Sequence, residues 1–500
     1  MRAGVFAVVA LLSTSRTPDH HDRPVTPADS ARAAVVRAAA AMGGREALLS
    51  IRTVDRHLRT ETSDPTQGAK PSRPGELDPP FYDSGTRNVF SDYAHQRQRT
   101  TVEGAIYGGQ PSRFVGVQLA DSVRIANLTL RTRNAFPVGP RTAPVGQFQI
   151  EGLIRRALQN PDSLFWVGTR QEGNRTLELV RFADRSMPFA FRFIFDRSTG
   201  LPFAMETDTD DPVMGDVLTR VTFGDWRKVG SVRLPWSQEQ RLNGVRYQRS
   251  TATSLTVDND IADSLFAIPG GLDTVVQPPP RIAATPIGRD LYLVRGQYNS
   301  LFVVLDDHVV VIEAPVNSQR STQVLAEIHR IAPGKPVRQV VSTHFHSDHI
   351  GGLRPFIAEG ATIVTTPTAR QVIQDFVVKG TRTRTIDTLA RAPREPVIEL
   401  AGPKRVLGDA NHRIELLDVS PNPHAAEIMV VWFPGERLLF EGDMLDLLVP
   451  EDRPSMPGDD TRALAKTIAK LGLDVDKIIP VHGRPGSRAD LERTVARTDR

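Results

Sequence analysis

The feature that most restricts this chain is Ser342-Thr343-His344-Phe345-His346-Ser347-Asp348-His349-Ile350-Gly351-Gly352. Three histidines and an aspartate fall within six residues, behind a run in which Val337, Val340 and Val341 favour a β-strand. Successive strand side chains alternate between faces, so His344 and His346 point the same way. Asp348 and His349 then sit on the turn beyond and reach the same space from a second direction. Imidazole and carboxylate are the usual ligands of a catalytic zinc, and this spacing suits two adjacent divalent ions. The alternative is a polar loop with solvated histidines; four metal-capable groups in H-x-H-x-D-H order argue against it.

The pattern resembles the metallo-β-lactamase superfamily, metal-dependent hydrolases built as an α/β four-layer αββα sandwich. The resemblance implies further ligands, and the sequence offers them in the family's order. Pro423-His424-Ala425-Ala426-Glu427 precedes the apolar run Ile428 to Phe433, which makes His424 the expected third histidine of the first metal. Leu438-Leu439-Phe440-Glu441-Gly442-Asp443 reads as a strand ending in an aspartate, and Asp443 is similar to the carboxylate that bridges the two metals. Ile478-Ile479-Pro480-Val481-His482-Gly483 is another such strand, matching His482 to the last ligand of the second metal. The resemblance thus implies His344, His346 and His424 on one metal, Asp348, His349 and His482 on the other, and Asp443 shared. Glu313 stands where family members usually carry an aspartate ahead of the first helix, a departure that leaves its role open. The remaining histidines (His20, His21, His57, His95, His308, His329 and His412) fit no such pattern and read as surface or local structural residues.

Two zinc ions about 3.5–4 Å apart can hold a bridging water and lower its pKa from about 16 toward 7. The resulting hydroxide is expected to attack an electrophilic carbonyl, phosphorus or sulfur, while one metal stabilises the charge that develops on the electrophile's oxygen. Asp348 is the expected catalytic residue, ligating the second metal and orienting the nucleophile. Zinc is the default for these ligands; iron or manganese fit the carboxylate-rich second position nearly as well. Asp443 occupies the place where some β-lactamase classes carry Cys or Ser, and so looks more like glyoxalase II-type thioesterases, lactonases and phosphodiesterases. The expectation is a hydrolase of an ester, thioester, lactone or phosphoester-type bond. The alternatives are an exported lipid- or ligand-binding protein with a vestigial metal domain, and a β-lactamase.

Five hundred residues exceed what one hydrophobic core holds, so two large domains are expected. Sixty-two basic side chains against 58 acidic ones leave a net charge of +4, too even for a dedicated nucleic-acid binder. The expected partner is a small-molecule or lipid-like substrate. With no cysteine in the chain, disulfides, thiolate ligands and thiol nucleophiles are excluded. Met1-Arg2, the apolar Ala3 to Leu12, and the small Ser13 and Ser15 read as a signal peptide over residues 1–15, giving a periplasmic or secreted protein. That apolar run is about ten residues, too short for a bilayer, and no other stretch is long and apolar enough to cross one.

Thr26-Pro27 is a helix-start signal ahead of an Ala-rich run that stops at Gly43-Gly44; a short second helix follows over Arg45 to Ser50. Residues 62–80 read as a long loop, and strand follows strand from there to about Phe266. Phe189, Phe191, Phe193 and Phe195 alternate with Ala190, Arg192 and Ile194, and Asn243-Gly244 is a strong hairpin signal. Ala41-Met42-Gly43-Gly44, Ser198-Thr199-Gly200-Leu201-Pro202, Val229 to Pro235 and Asp263 to Pro269 resemble phrases of the LolA/LolB-like lipoprotein carrier fold. That resemblance implies an α+β antiparallel half-barrel over residues 27–270, around a cavity able to hold an acyl chain. A Pro-rich linker, 271–282, ends in Gln277-Pro278-Pro279-Pro280, and the catalytic domain spans 283–496. Residues 378–394, with Lys379, Arg382, Arg384, Arg391 and Arg394, read as a solvated insertion, with a basic lid for anionic substrates as the alternative.

Overall fold

The computed structural model describes residues 26–497 apart from 73–74, 107–109, 121, 135–144, 147, 276–281, 297 and 449–454. The expected signal peptide, His20, His21 and the prolines of the expected linker lie outside the described residues.

Thr26 caps the first helix, Pro27–Ala41: its hydroxyl accepts from the Asp29 N–H while the Asp29 carboxylate accepts from the Thr26 N–H. Ala31, Ala34, Val35 and Ala38 recur at helical spacing and bury one face. They share a core with Ile150, Leu153 and Ile154 of helix Ile150–Gln159 and with strand residues Phe182, Phe191, Phe193 and Phe195. The strands before residue 276 make one fourteen-stranded sheet, from edge strand Asp273–Val275 to edge strand Leu164–Glu172. It is antiparallel except where Asp273–Val275 meets Thr132–Asn134. The β-rich antiparallel character matches expectation, and the array is an open sheet with two edges among the described residues. Asn243 and Gly244 take φ of 48° and 87° between Val232–Leu242 and Val245–Val257, the double positive φ of a two-residue hairpin.

The strands after residue 282 form two further sheets, of seven and six strands. In the first, Ala283–Gly288, Leu291–Arg295, Ser300–Val304 and Val309–Ile312 are antiparallel, and Val337–Val341, Thr362–Thr365 and Ile398–Leu400 continue in parallel. Strand periodicity explains the layering. Val310 and Ile312 face Leu416, Val431, Phe440 and Ile479 of the other sheet, while Val309 and Val311 face Val324, Ile328, Leu353 and Phe356 of the outer helices. On the far side Val430, Trp432, Leu439 and Ile478 turn out toward Leu464, Ile468 and Leu491. Two sheets packed face to face, each covered by helices, are the αββα sandwich.

One sequence reading needs correction: His344 and His346 lie past the strand rather than on it. Val337–Val341 ends three residues before His344, the Ser342 hydroxyl donates to the His344 carbonyl, and Asp348 and His349 sit on the helical turn Ser347–Ile350. Residues 378–394 are largely exposed, as the insertion reading has it, but they are anchored to the large sheet at Arg382, Thr383 and Arg384. The side chain of Arg382, only 6% exposed, donates to the carbonyls of Asp211, Pro212 and Val213 at the hairpin turn of the large sheet. Asp216 accepts from Thr383 and from the Arg384 N–H. The three carbonyls replace the water that the guanidinium gives up on burial, so the contact costs little and the segment is held there. No helix among the described residues is long and apolar enough to cross a membrane.

Candidate metal centre

The predicted ligands converge at one edge of the sandwich. Strand Val337–Val341 ends at the histidine motif, Leu438–Glu441 runs on to Asp443, and Lys477–Pro480 runs on to His482. Met429–Phe433 is antiparallel to Leu438–Glu441, so its N-terminal end, where His424 sits, lies at the same edge. C-terminal strand ends are where open α/β sheets place their sites.

The atoms fall into two groups, each with its donors within 4.8 Å of one another: His344, His346, His424 and Asp443, then Asp348, His349, Asp443 and His482. In the first, His424 Nε2 lies 3.0 Å from His346 Nδ1 and 3.3 Å from His344 Nε2. In the second, His349 Nε2 and His482 Nε2 lie 2.9 and 3.0 Å from Asp443 Oδ1, and His482 Nε2 is 3.3 Å from Asp348 Oδ2. Asp443 Oδ2 faces the first group, 3.4 Å from His424 Nε2. One carboxylate therefore turns an oxygen to each group. All seven predicted residues are brought together, and the five other described histidines stand apart: His57, His95, His308, His329 and His412 each face a nearby carboxylate.

These residues fit divalent cations. His349 Nε2 and Asp443 Oδ1 are buried and close together, yet neither makes an aligned hydrogen bond among the described residues. Buried donors that face a common point without bonding one another suit a shared cation. Burial, then repulsion from His349 and His346, holds His344 well below the usual imidazole range. Burial, then His424, pushes His346 down to about 3. Both therefore present lone pairs at neutral pH. Burial also opposes charge on His349, but Asp443, Glu313 and Asp348 outweigh it and raise its pKa well above the ordinary value. The carboxylates of the second group already demand a positive charge there.

The remote nitrogens are held as well. His344 Nδ1 lies 3.0 Å from the Thr343 hydroxyl, and His349 Nδ1 is 3.2 Å from Glu313 Oε2. The other Glu313 oxygen accepts from the Thr343 N–H at 2.8 Å. Glu313, whose role the sequence left open, is thus the buried carboxylate behind the histidine motif. Gly442 permits the close approach of Asp443's strand end: a Cβ there would meet the His344 ring at 3.2 Å. Sequence reasoning missed Tyr298, whose ring packs edge-on against His482 at 4.5 Å. Burial, then Asp348, raises its phenol pKa, so it stays a protonated donor. It also missed Gln67 and Gly68, which reach the centre from the large sheet.

A family model described as the metallo-beta-lactamase superfamily matches residues 293–482. A linear primary-alkylsulfatase from a Pseudomonas strain is 37% identical over 51 residues, 10% of this chain and 10% of that protein. The alkyl/aryl-sulfatase BDS1 of Saccharomyces cerevisiae is 32% identical over 72 residues, 14% of this chain and 11% of that protein. The chain therefore spans about a tenth of the length of these curated relatives. Among solved structures, a DIM-1 metallo-beta-lactamase aligns with a TM-score of 0.34 at 18% identity, covering 43% of this chain and 95% of that one. A metallo-beta-lactamase from Pontibacter korlensis gives 0.33 at 17% identity, covering 43% and 97%. The matched segment holds every residue of both ligand groups, and the C-terminal region of this chain carries a domain of the metallo-beta-lactamase superfamily.

Proposed function

We propose that the chain is a dinuclear metallohydrolase that cleaves an ester-type bond, with sulfate esters the first class to examine. The observation that carries the reading is the split of Asp443, one oxygen toward each ligand group. The names of the two curated relatives, an alkylsulfatase and an alkyl/aryl-sulfatase, support the sulfate branch. Thioesters, lactones and phosphodiesters remain in the same reaction class.

His344, His346 and His424 would hold one divalent ion, Asp348, His349 and His482 the other, with Asp443 between them; zinc suits this donor set. Two such ions supply Lewis acidity and bring the pKa of a water toward neutrality. The chain's own residues do the rest. Asp348, at the rim of the second group, would orient the attacking water. Tyr298, kept protonated beside His482, donates to oxygen charge that develops on the substrate. The buried imidazoles exclude bulk water from the base of the site.

The test is turnover by zinc-reconstituted protein of an alkyl sulfate, an aryl sulfate, a thioester, a lactone, an aryl phosphodiester and nitrocefin, with Asp348→Ala as the blank. We expect one class to be hydrolysed and its turnover to fall at least about 100-fold in the variant. Silence across the panel in a protein that binds no metal would overturn the enzyme reading.

A further inference from the structure

The loop between strands Thr53–Thr62 and Asp83–Asp92 leaves the large sheet and ends against the candidate metal centre. It is stitched to two of the four segments that carry the donors: the Ser347 N–H donates to the Thr66 carbonyl at 3.1 Å, and the Ala426 N–H to the Ala69 carbonyl at 2.9 Å. Between these two points the Gly68 carbonyl lies 2.8 Å from His346 Nε2. The Gln67 amide donates to Asp348 Oδ1 at 3.0 Å and to the Ser347 hydroxyl at 2.8 Å. Asp64 fixes the turn beforehand, accepting from the Thr66 N–H at 2.8 Å and its hydroxyl at 2.9 Å. Gly68 has φ +86°, and a Cβ would stand 2.7 Å from the Tyr82 ring, so the approach needs glycine.

These contacts fall on the atoms a metal site must have held. His346 turns Nδ1 toward His424, so a bond from Nε2–H to a carbonyl fixes the tautomer whose lone pair is on Nδ1. Asp348 turns Oδ2 toward His482, and the Gln67 amide takes the other oxygen. A neutral amide orients that carboxylate without cancelling the charge a cation needs. Nothing in the local sequence around residue 67 signals this, because its partners are 280 and 281 positions away.

We propose that Gln67 and the Gly68 carbonyl are positioning groups of the metal centre, lent by the large sheet: Gln67 sets the rotamer of Asp348, and Gly68 sets the tautomer of His346. The proposal rests on the reading of residues 344–482 as a dinuclear centre. Docking of the loop and metal affinity are then coupled.

The experiment uses the full chain and its Gln67→Met variant, which keeps the side-chain length and removes the donor. Metal-free protein is titrated with Zn2+ against a chromogenic chelator, and the d–d spectrum of the Co2+-loaded protein is recorded. We expect Gln67→Met to weaken one of the two sites about 10–100-fold and shift the cobalt spectrum, with the metal-free melting temperature unchanged. Equal affinities and an identical spectrum would overturn the role of Gln67 while leaving the metal centre intact. A wild-type chain that binds no Zn2+ would instead overturn the underlying reading, and this proposal with it. Should Gln67→Met lower the metal-free melting temperature, Asp64→Ala decides, since it loosens Thr66 without touching a donor: unchanged affinity there overturns the proposal.

Discussion

Glu313 shows how much one side chain contributes behind the donors. It is buried, holds φ +69°, and divides its oxygens between the Thr343 N–H and the face of His349 Nδ1. A left-handed conformation at a side chain larger than glycine costs on the order of 1–2 kcal/mol. Here the Glu313 N–H bond to the Val341 carbonyl, 2.8 Å, helps to hold it. The carboxylate lies 3.2 Å from the remote nitrogen of His349, and its charge favours the proton on that side, leaving Nε2 to face a cation. Replacing it by Gln keeps the acceptor for Thr343 and removes the charge. Glu313→Gln should therefore lower Zn2+ affinity or turnover by about 10–100-fold with little loss of folding, measured by chelator competition and circular dichroism. Normal affinity in a folded variant would show that the carboxylate is only a packing element.

At the scale of elements, the docked segment 378–394 is the informative case. Its five basic residues suggest a solvated face, and four of them are exposed: Lys379, Arg384, Arg391 and Arg394. Arg382 departs because three carbonyls of the 211–213 turn converge on its guanidinium. Hydrogen bonds to a charged group contribute about 1.5–3 kcal/mol each, less what water would return to partly open carbonyls. Arg382→Met should destabilise the docked segment by about 2–4 kcal/mol and speed tryptic cleavage after Arg384. An unchanged cleavage rate would mean that the Asp216 contacts with Thr383 and Arg384 hold the segment by themselves.

For the whole molecule, the large sheet and the sandwich share contacts at two places: the Thr66–Ala69 strap against the metal centre, and the 211–216 turn against residues 382–384. Ligands that bind only the folded state stabilise it by about 2.7 kcal/mol at a hundredfold excess over Kd. Chelation should therefore lower the melting temperature, and restored Zn2+ should return it; identical melting curves with and without chelator would contradict a metal held among these residues. The sequence by itself determined which side chains are the candidate donors, through the resemblance that sets their order. Three histidines and an aspartate just past a valine-rich strand, and single Asp and His residues beside the ends of other apolar strands, are short patterns that the family resemblance orders into one set. Continuous apolar runs such as Val309–Ile312 and Met429–Phe433 mark the buried strands that bring them together. The Thr26 cap, the Asn243-Gly244 turn and the phenylalanine stripe were legible for the same reason, each set by residues a few positions apart. Only the tertiary structure decided the rest. Glu313 needed the position of His349, Arg382 needed a turn 170 residues earlier, and Gln67 needed a carboxylate 281 residues later. Contacts between polar side chains and distant backbone leave no periodic trace in the sequence, because their partners are chosen by how the sheets pack.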